Sequence, residues 1–184
     1  MHMATLSSLV GRQMISSDAY DVGEIIDVRY DPFEWSVAGL RIRTKRSDKL
    51  AAGFGKANMM ILPDKFVMND VMLLDRPVDK LKETASPDNG NIPLLSSLVS
   101  AKAVSKDNVT IGVVTEVMID TDIWKVTSIA VRLDKTAIEA MGMKKGLFSK
   151  INVEISTGMI LASKEMIHLS ENIDGVREKM TILE

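Results

Sequence analysis

Between Val22 and Tyr30 every second residue falls on one face, reading Val22, Glu24, Ile26, Val28 and Tyr30. Ile111 to Ile119 repeats the arrangement with Ile111, Val113, Thr115, Val117 and Ile119. A period of two in β-branched residues predicts strands. A turn follows each run, Asp31-Pro32-Phe33-Glu34 in one case and Asp120-Thr121-Asp122-Ile123 in the other. A second alternating run comes next. In Trp35 to Arg43, Ala38, Leu40 and Ile42 face one way and Arg41 and Arg43 the other; in Trp124 to Leu133, Ile129, Val131 and Leu133 face in. Each half is therefore expected to centre on an antiparallel hairpin with aromatic residues at its end.

Around these hairpins the pattern places shorter elements. Apolar stretches at Leu9 to Ile15 and Leu98 to Val104 predict opening strands, followed by polar turns from Ser16 to Asp21 and from Ser105 to Thr110. Gly23 and Gly112 sit early in the long strands, where a bulge or a close backbone approach needs a residue without Cβ. The halves then diverge. Lys135 to Leu147 carries Ala137, Ile138, Ala140 and Met141 at helical spacing, with Gly142 as a stop. The corresponding stretch from Ser47 to Gly55 is shorter and contains glycine. Strands are expected at Ala57 to Leu62, Lys150 to Ile155 and Gly158 to Leu161, and Val71 to Leu74 reads as a buried strand. Glu165 to Leu169 is ambiguous, and helical tails are expected at Pro77 to Glu83 and Val176 to Lys179.

The two patterns are one pattern written twice. Residues 6–43 align on 95–132 without a gap, and Leu6-Ser7-Ser8-Leu9-Val10 recurs as Leu95-Ser96-Ser97-Leu98-Val99. The same alignment pairs Asp18 with Asp107, Gly23 with Gly112, Asp31 with Asp120, Trp35 with Trp124 and Arg43 with Arg132. The chain is a tandem duplication. Its expected organisation is a first repeat over 4–84, a linker over 85–93 rich in proline, glycine and asparagine, and a second repeat over 94–184. A unit of about 90 residues buries only about 60–65% of its unfolded surface, which favours packing the two as a pair.

Composition narrows the functional classes. The net charge of −2 is evenly divided, with 12 basic and 13 acidic residues in 1–88 and 11 and 12 in 89–184. Neither half has the basic excess expected of a nucleic-acid binder. The chain has no cysteine, so thiolate metal sites, disulfides and cysteine nucleophiles do not arise. No apolar run approaches the roughly 18–20 residues that span a bilayer. The segment Met1-His2-Met3 reads as an expression scar, which leaves His168 as the one histidine to consider.

His168 has no neighbouring cysteine or second histidine and forms no zinc-type set. Ala52 to Asn58 departs from the phosphate-loop spacing and reads as an inter-strand loop. Asp27, Asp31, Glu34, Asp120 and Asp122 gather at hairpin ends, where turn capping explains them better than acid–base chemistry. Arg41, Arg43 and Lys45, followed by Arg46, form a basic stripe; it is either a solvated face or a surface for an acidic protein or RNA. Aromatic residues make up 4% of the chain, too few for a base-stacking platform. Met59 and Met72 fit a core, while Met141 and Met143 beside Lys144 and Lys145 fit core and interface equally. Trp35 and Trp124 either close the barrel ends or line a contact surface. The expected protein-binding residues are Phe33, Trp35, Ile123, Trp124, Met141, Met143, Lys144, Lys145 and Phe148. No catalytic, cofactor-binding or metal-binding residue is expected.

The V-G-E-I-x-D-V pattern of Val22 to Val28, the Asp31/Trp35 turn, the I-L-P-D of Ile61 to Asp64 and the V-M-L-L of Val71 to Leu74 together resemble the PRC-barrel domain. Leu133-Asp134-Lys135, the helix after it and Gly146-Leu147-Phe148 resemble the archaeal branch of that family. The resemblance implies a mainly β fold of two tandem small antiparallel barrels with short helices, packed as a pseudo-symmetric pair. It implies a non-enzymatic cytoplasmic adaptor or scaffold without cofactors. By the same resemblance the adaptor would serve archaeal FtsZ-based cell division, binding a SepF-type anchor or a paralogous PRC-barrel protein. Association into dimers or polymers, and recruitment to the membrane at the division site through partners, would follow. The alternative it offers is an RNA- or ribosome-associated assembly factor of the RimM type.

Overall fold

A computed structural model describes residues 2–45, 58–88, 90–143, 150–163 and 165–183. It is mainly β and divides into two compact units, Leu6–Ser96 and the combination of Met1–Thr5 with Ser97–Glu184. The first unit holds β2 (Gln13–Ile15), β3 (Asp21–Tyr30), β4 (Val37–Thr44), β5 (Met59–Ile61), β6 (Phe66–Met68), β7 (Met72–Leu74) and β8 (Ala85–Pro87). The second holds β1 (Met3–Thr5), β9 (Lys102–Val104), β10 (Thr110–Asp120), β11 (Lys125–Leu133), β12 (Asn152–Ser156), β13 (Ile160–Ser163), β14 (Met166–Leu169) and β15 (Thr181–Leu183). The first sheet runs β6-β7-β2-β3-β4-β5-β8 and the second β13-β14-β9-β10-β11-β12-β15, with β1 added beside β10. The order is the same strand for strand, including a parallel pair, β2 with β7 and β9 with β14. The duplication thus extends past the gapless stretch to the end of the chain.

The strands form a curled half-barrel sheet and a second sheet, and among the described residues the first and last strands of each do not pair. The curl begins in the long hairpin. Ile26 is an extra residue in β3 and Ala38 in β4; Thr115 and Thr127 are extra at the aligned places in β10 and β11. Such bulges bend the strand and increase its twist. They also correct the strict alternation expected from sequence. The buried positions are Val22, Ile25, Val28 and Tyr30, matched by Ile111, Val114, Val117 and Ile119. Glu24, Ile26, Val113 and Thr115 leave the core face because the residue inserted at Ile26 or Thr115 reverses the side of those just before it, and a second irregularity at Val22 and Ile111, against β2 and β9, turns these two inward again. On the partner strands Leu40 and Ile42, and Ile129, Val131 and Leu133, are buried as expected. Met59 and Met72 are fully buried beside them.

Several residues identical in the two repeats have structural tasks. Ser16 is buried; its hydroxyl donates to Asp18 at 2.5 Å and accepts from the Tyr20 N–H at 2.9 Å. Ser105 does the same with Asp107 at 2.5 Å and the Val109 N–H at 3.0 Å. A Cβ on Gly23 would lie 2.1 Å from the Arg43 carbonyl oxygen, and one on Gly112 would lie 2.0 Å from that of Arg132. Both distances are far inside contact, so these positions require glycine where neighbouring strands cross closely.

The remaining elements are short. The opening stretches begin as a helical turn, Leu6–Leu9, and a 3-10 turn, Leu95–Leu98, before β2 and β9. The expected helix after β11 covers Lys135–Ala140 and ends before Gly142, whose φ is +64°. Its counterpart, Ser47 to Gly55, lies outside the described residues. The tails form a 3-10 helix, Val78–Glu83, and an α-helix, Ile173–Lys179. β7 buries Met72 and Leu74 but exposes Leu73, so it is a one-sided strand rather than a fully buried one. Part of the expected linker is built into the first unit. Ala85–Pro87 extends the first sheet as β8, and Leu94 bridges to Arg29 of β3.

Gly23→Ala and Gly112→Ala are each expected to cost about 3 kcal/mol, at the upper end for forced overpacking. Gly11→Ala, with φ +88° but open space around its Cβ, should cost about 1 kcal/mol. Urea unfolding midpoints of the three variants check this order.

Candidate functional site

The hairpin tips are built by an aspartate and a strained tryptophan. In the first unit, Asp31 Oδ1 accepts from the backbone N–H groups of Phe33 at 2.7 Å and Glu34 at 3.1 Å. The Trp35 N–H donates to the Asp31 carbonyl at 2.8 Å, and the Asp31 N–H donates to the Ser36 carbonyl at 2.9 Å. In the second unit Asp120 Oδ1 accepts from the Asp122 N–H at 2.9 Å. These bonds confirm the turn-capping role expected of Asp31 and Asp120. Trp35 and Trp124 both close their turns in the left-handed region, with φ of 57° and 51°. An L-residue there costs roughly 1–2 kcal/mol, so glycine would be the easier choice. In the first unit the indole offsets this by stacking on Tyr30, with ring centroids 5.5 Å apart and planes at 27°.

The consequence at the surface is specific. Trp35 is 8% exposed and belongs to the core, so it is corrected from a contact residue to the packing residue that anchors the tip. Trp124 is half-buried. Phe33, two residues before Trp35, is 91% exposed, and Ile123, directly before Trp124, is 66% exposed. Each tip thus presents one large apolar side chain on a backbone held by its own hydrogen bonds. Met141 is also corrected: it is fully buried with Ala137 and Ile138 on the inner side of its helix. Met143 is half-buried. Lys144, Lys145 and Phe148 lie outside the described residues, as does Arg46.

The basic stripe is occupied by acids of its own unit. Arg43 pairs with Glu24 at 2.9 Å and Lys45 with Asp21, both on β3. Arg41 Nε donates to Asp88 Oδ2 at 2.5 Å. Asp88 also receives a forked pair from Arg29, Nε to Oδ1 at 2.8 Å and Nη2 to Oδ2 at 2.9 Å. The side chains of Arg29 and Asp88 are only 7% and 4% exposed. Arg29 Nη1 donates onward to the Ile92 carbonyl. The hydrogen bonds from Arg29 hold the Asp88 carboxyl below its ordinary range, against the opposing effect of burial, and Arg41 adds to the lowering.

Sequence reading missed this cluster because Asp88 fell in the expected linker. A signal was present: Arg29 and Arg41 both become apolar in the second repeat, as Met118 and Ala130. Two cations on neighbouring strands lost together point to one shared counter-ion.

The other candidates carry no assembled chemistry. Asp27 is buried, with its carboxylate accepting from the N–H groups of Val28 at 2.8 Å and Ser96 at 3.2 Å. His168 is exposed on β14, in the other unit. Among the described residues no group of histidine, aspartate and glutamate could hold a metal ion. Of the phosphate-loop-like stretch only Asn58 is described, and its carbonyl accepts from the Asp88 N–H at 3.0 Å. No helix among the described residues is long and apolar enough to cross a membrane. Compared with known proteins, the chain matches no family model and no curated sequence.

Asp88→Ala leaves the buried Arg29 without its counter-ion and is expected to destabilise the protein by about 3 kcal/mol or more. Because the folded-state pKa of Asp88 is lowered from 3.8, its contribution is full above that value and drains away as the pH falls below it. Denaturant titrations at stepped pH should show this acid-dependent loss in the parent chain and a smaller one in Asp88→Asn.

Proposed function

We propose that this protein is a non-enzymatic adaptor of the PRC-barrel type that docks partner proteins on its hairpin tips. The supporting observation is the pair Phe33 and Ile123, large apolar side chains held out on turns that strained tryptophans fix in place. An exposed phenylalanine on a pre-ordered backbone gives up little entropy on docking, and burying it contributes about 2 kcal/mol. Two repeats with related tips suit a scaffold, because two weak contacts on one chain reinforce each other. The PRC-barrel resemblance makes archaeal FtsZ-based division the best-fitting setting, with a SepF-type anchor or a paralogous PRC-barrel protein as partner. The ribosome-associated alternative is less favoured, since the cations of the stripe already hold Glu24, Asp21 and Asp88.

Calorimetric titration of the purified chain with a purified SepF-type anchor, and with a paralogous PRC-barrel protein, tests this. Phe33→Ser or Ile123→Ser should weaken binding roughly tenfold or more while moving stability by no more than about 0.5 kcal/mol. Binding of neither protein, alongside RNA binding that falls steeply with salt, would favour the ribosome-associated reading.

A further inference from the structure

In each unit the place beside the far end of the long strand is filled by residues that precede the other repeat. In the second unit, Met3, Ala4 and Thr5 pair antiparallel with Asp120, Ile119 and Met118. In the first unit, Leu94 lies opposite Arg29, and the Tyr30 N–H donates to the Pro93 carbonyl at 3.1 Å. Repeat alignment equates Thr5 with Leu94 and Met118 with Arg29, so the two placements are the same placement with the donors exchanged.

The donors are held differently. The segment before Leu95 is fixed by Arg29, which bonds both Asp88 and the Ile92 carbonyl. β1 is a strand of three residues of which only Ala4 is buried. The bonds beside it include the Thr121 N–H and hydroxyl on the His2 carbonyl, at 2.9 and 3.0 Å, the His2 N–H on Asp122 Oδ2 at 3.0 Å, and an exposed His2–Asp122 side-chain contact. Exposed ion pairs contribute little. No spacer separates Thr5 from Leu6, where the helical turn of the other unit begins. Short hinges of this kind invite exchange between chains.

We propose that β1 is an exchangeable donor strand by which one copy of this chain binds a second copy. Met3–Thr5 of one chain seats on Met118–Asp120 of the other. Each bond that β1 makes within its own chain is remade between chains, so the balance is set by concentration. This goes beyond the adaptor reading and does not depend on it.

The chain lacks cysteine, which makes cross-linking a clean test. The Thr121 N–H bond to His2 makes Ala4–Ile119 a hydrogen-bonded pair and Thr5–Met118 a non-bonded one. The Cα atoms of a non-bonded pair lie about 4.5 Å apart, within disulfide reach. A Thr5→Cys chain with a mass tag is mixed with an untagged Met118→Cys chain, concentrated and oxidised. The expected product is a tagged–untagged covalent dimer that increases with concentration and is lost when the donor also carries Ala4→Pro. In dilute solution the double variant Thr5→Cys/Met118→Cys should close within one chain. Sedimentation equilibrium of the cysteine-free chain should show a monomer–dimer equilibrium that Ala4→Pro removes. The proposal is overturned by absence of the mixed dimer at every concentration, by a mixed dimer insensitive to Ala4→Pro, or by failure of the double variant to close.

Discussion

Two bulges at fixed places in one hairpin govern each unit. A straight hairpin of this length would give a flat ribbon with one dry face. The extra residue at Ile26, and at Thr115 in the other copy, reverses the inward side halfway along the strand and coils it. The shorter strands then find positions around a curved surface, and the core closes with Leu40, Ile42, Met59 and Met72 on its concave side. Gly23 and Gly112 belong to the same constraint. The coil brings the backbone of the next strand so close that a single Cβ cannot be accommodated.

Much of this was legible because the chain carries its own comparison. Ser16, Gly23, Asp31 and Trp35 each align with an identical residue of the other repeat, and each has a local bonding or steric reason to recur. The bulges were not legible, since alternation assumes one residue per step and an inserted residue announces itself only through its partner strand. Asp88 was hidden for another reason: proline and glycine around it signal a turn, while its attachment depends on two arginines distant in sequence. Trp35 and Met141 show the limit of residue type as a guide to surface. Both are kinds found at interfaces, yet each is drawn inward by the turn or helix that carries it.

Charge and shape divide the work between the copies. The first unit invests its arginines internally, tying β3 and β4 to the segment around Asp88. The second has apolar residues at the aligned positions, Met118 and Ala130, and among its described residues makes no such tie. Both keep the capped tip with its apolar side chain, although the side chain is donated from different positions, Phe33 in one and Ile123 in the other. The copies have therefore retained the geometry of the tip while changing which residue occupies it.

The exchanged edge strands also set an order in time. Synthesis runs from β1 toward β15, and everything the first unit needs has been made once Ser96 is complete. The second unit is different, because the whole of the first is synthesised between its β1 and the rest of it. At about 5–20 residues per second, Met3–Thr5 waits on the order of ten seconds before Met118–Asp120 is made. Until synthesis reaches Ser97, Met3–Thr5 stands apart from the rest of the unit it belongs to.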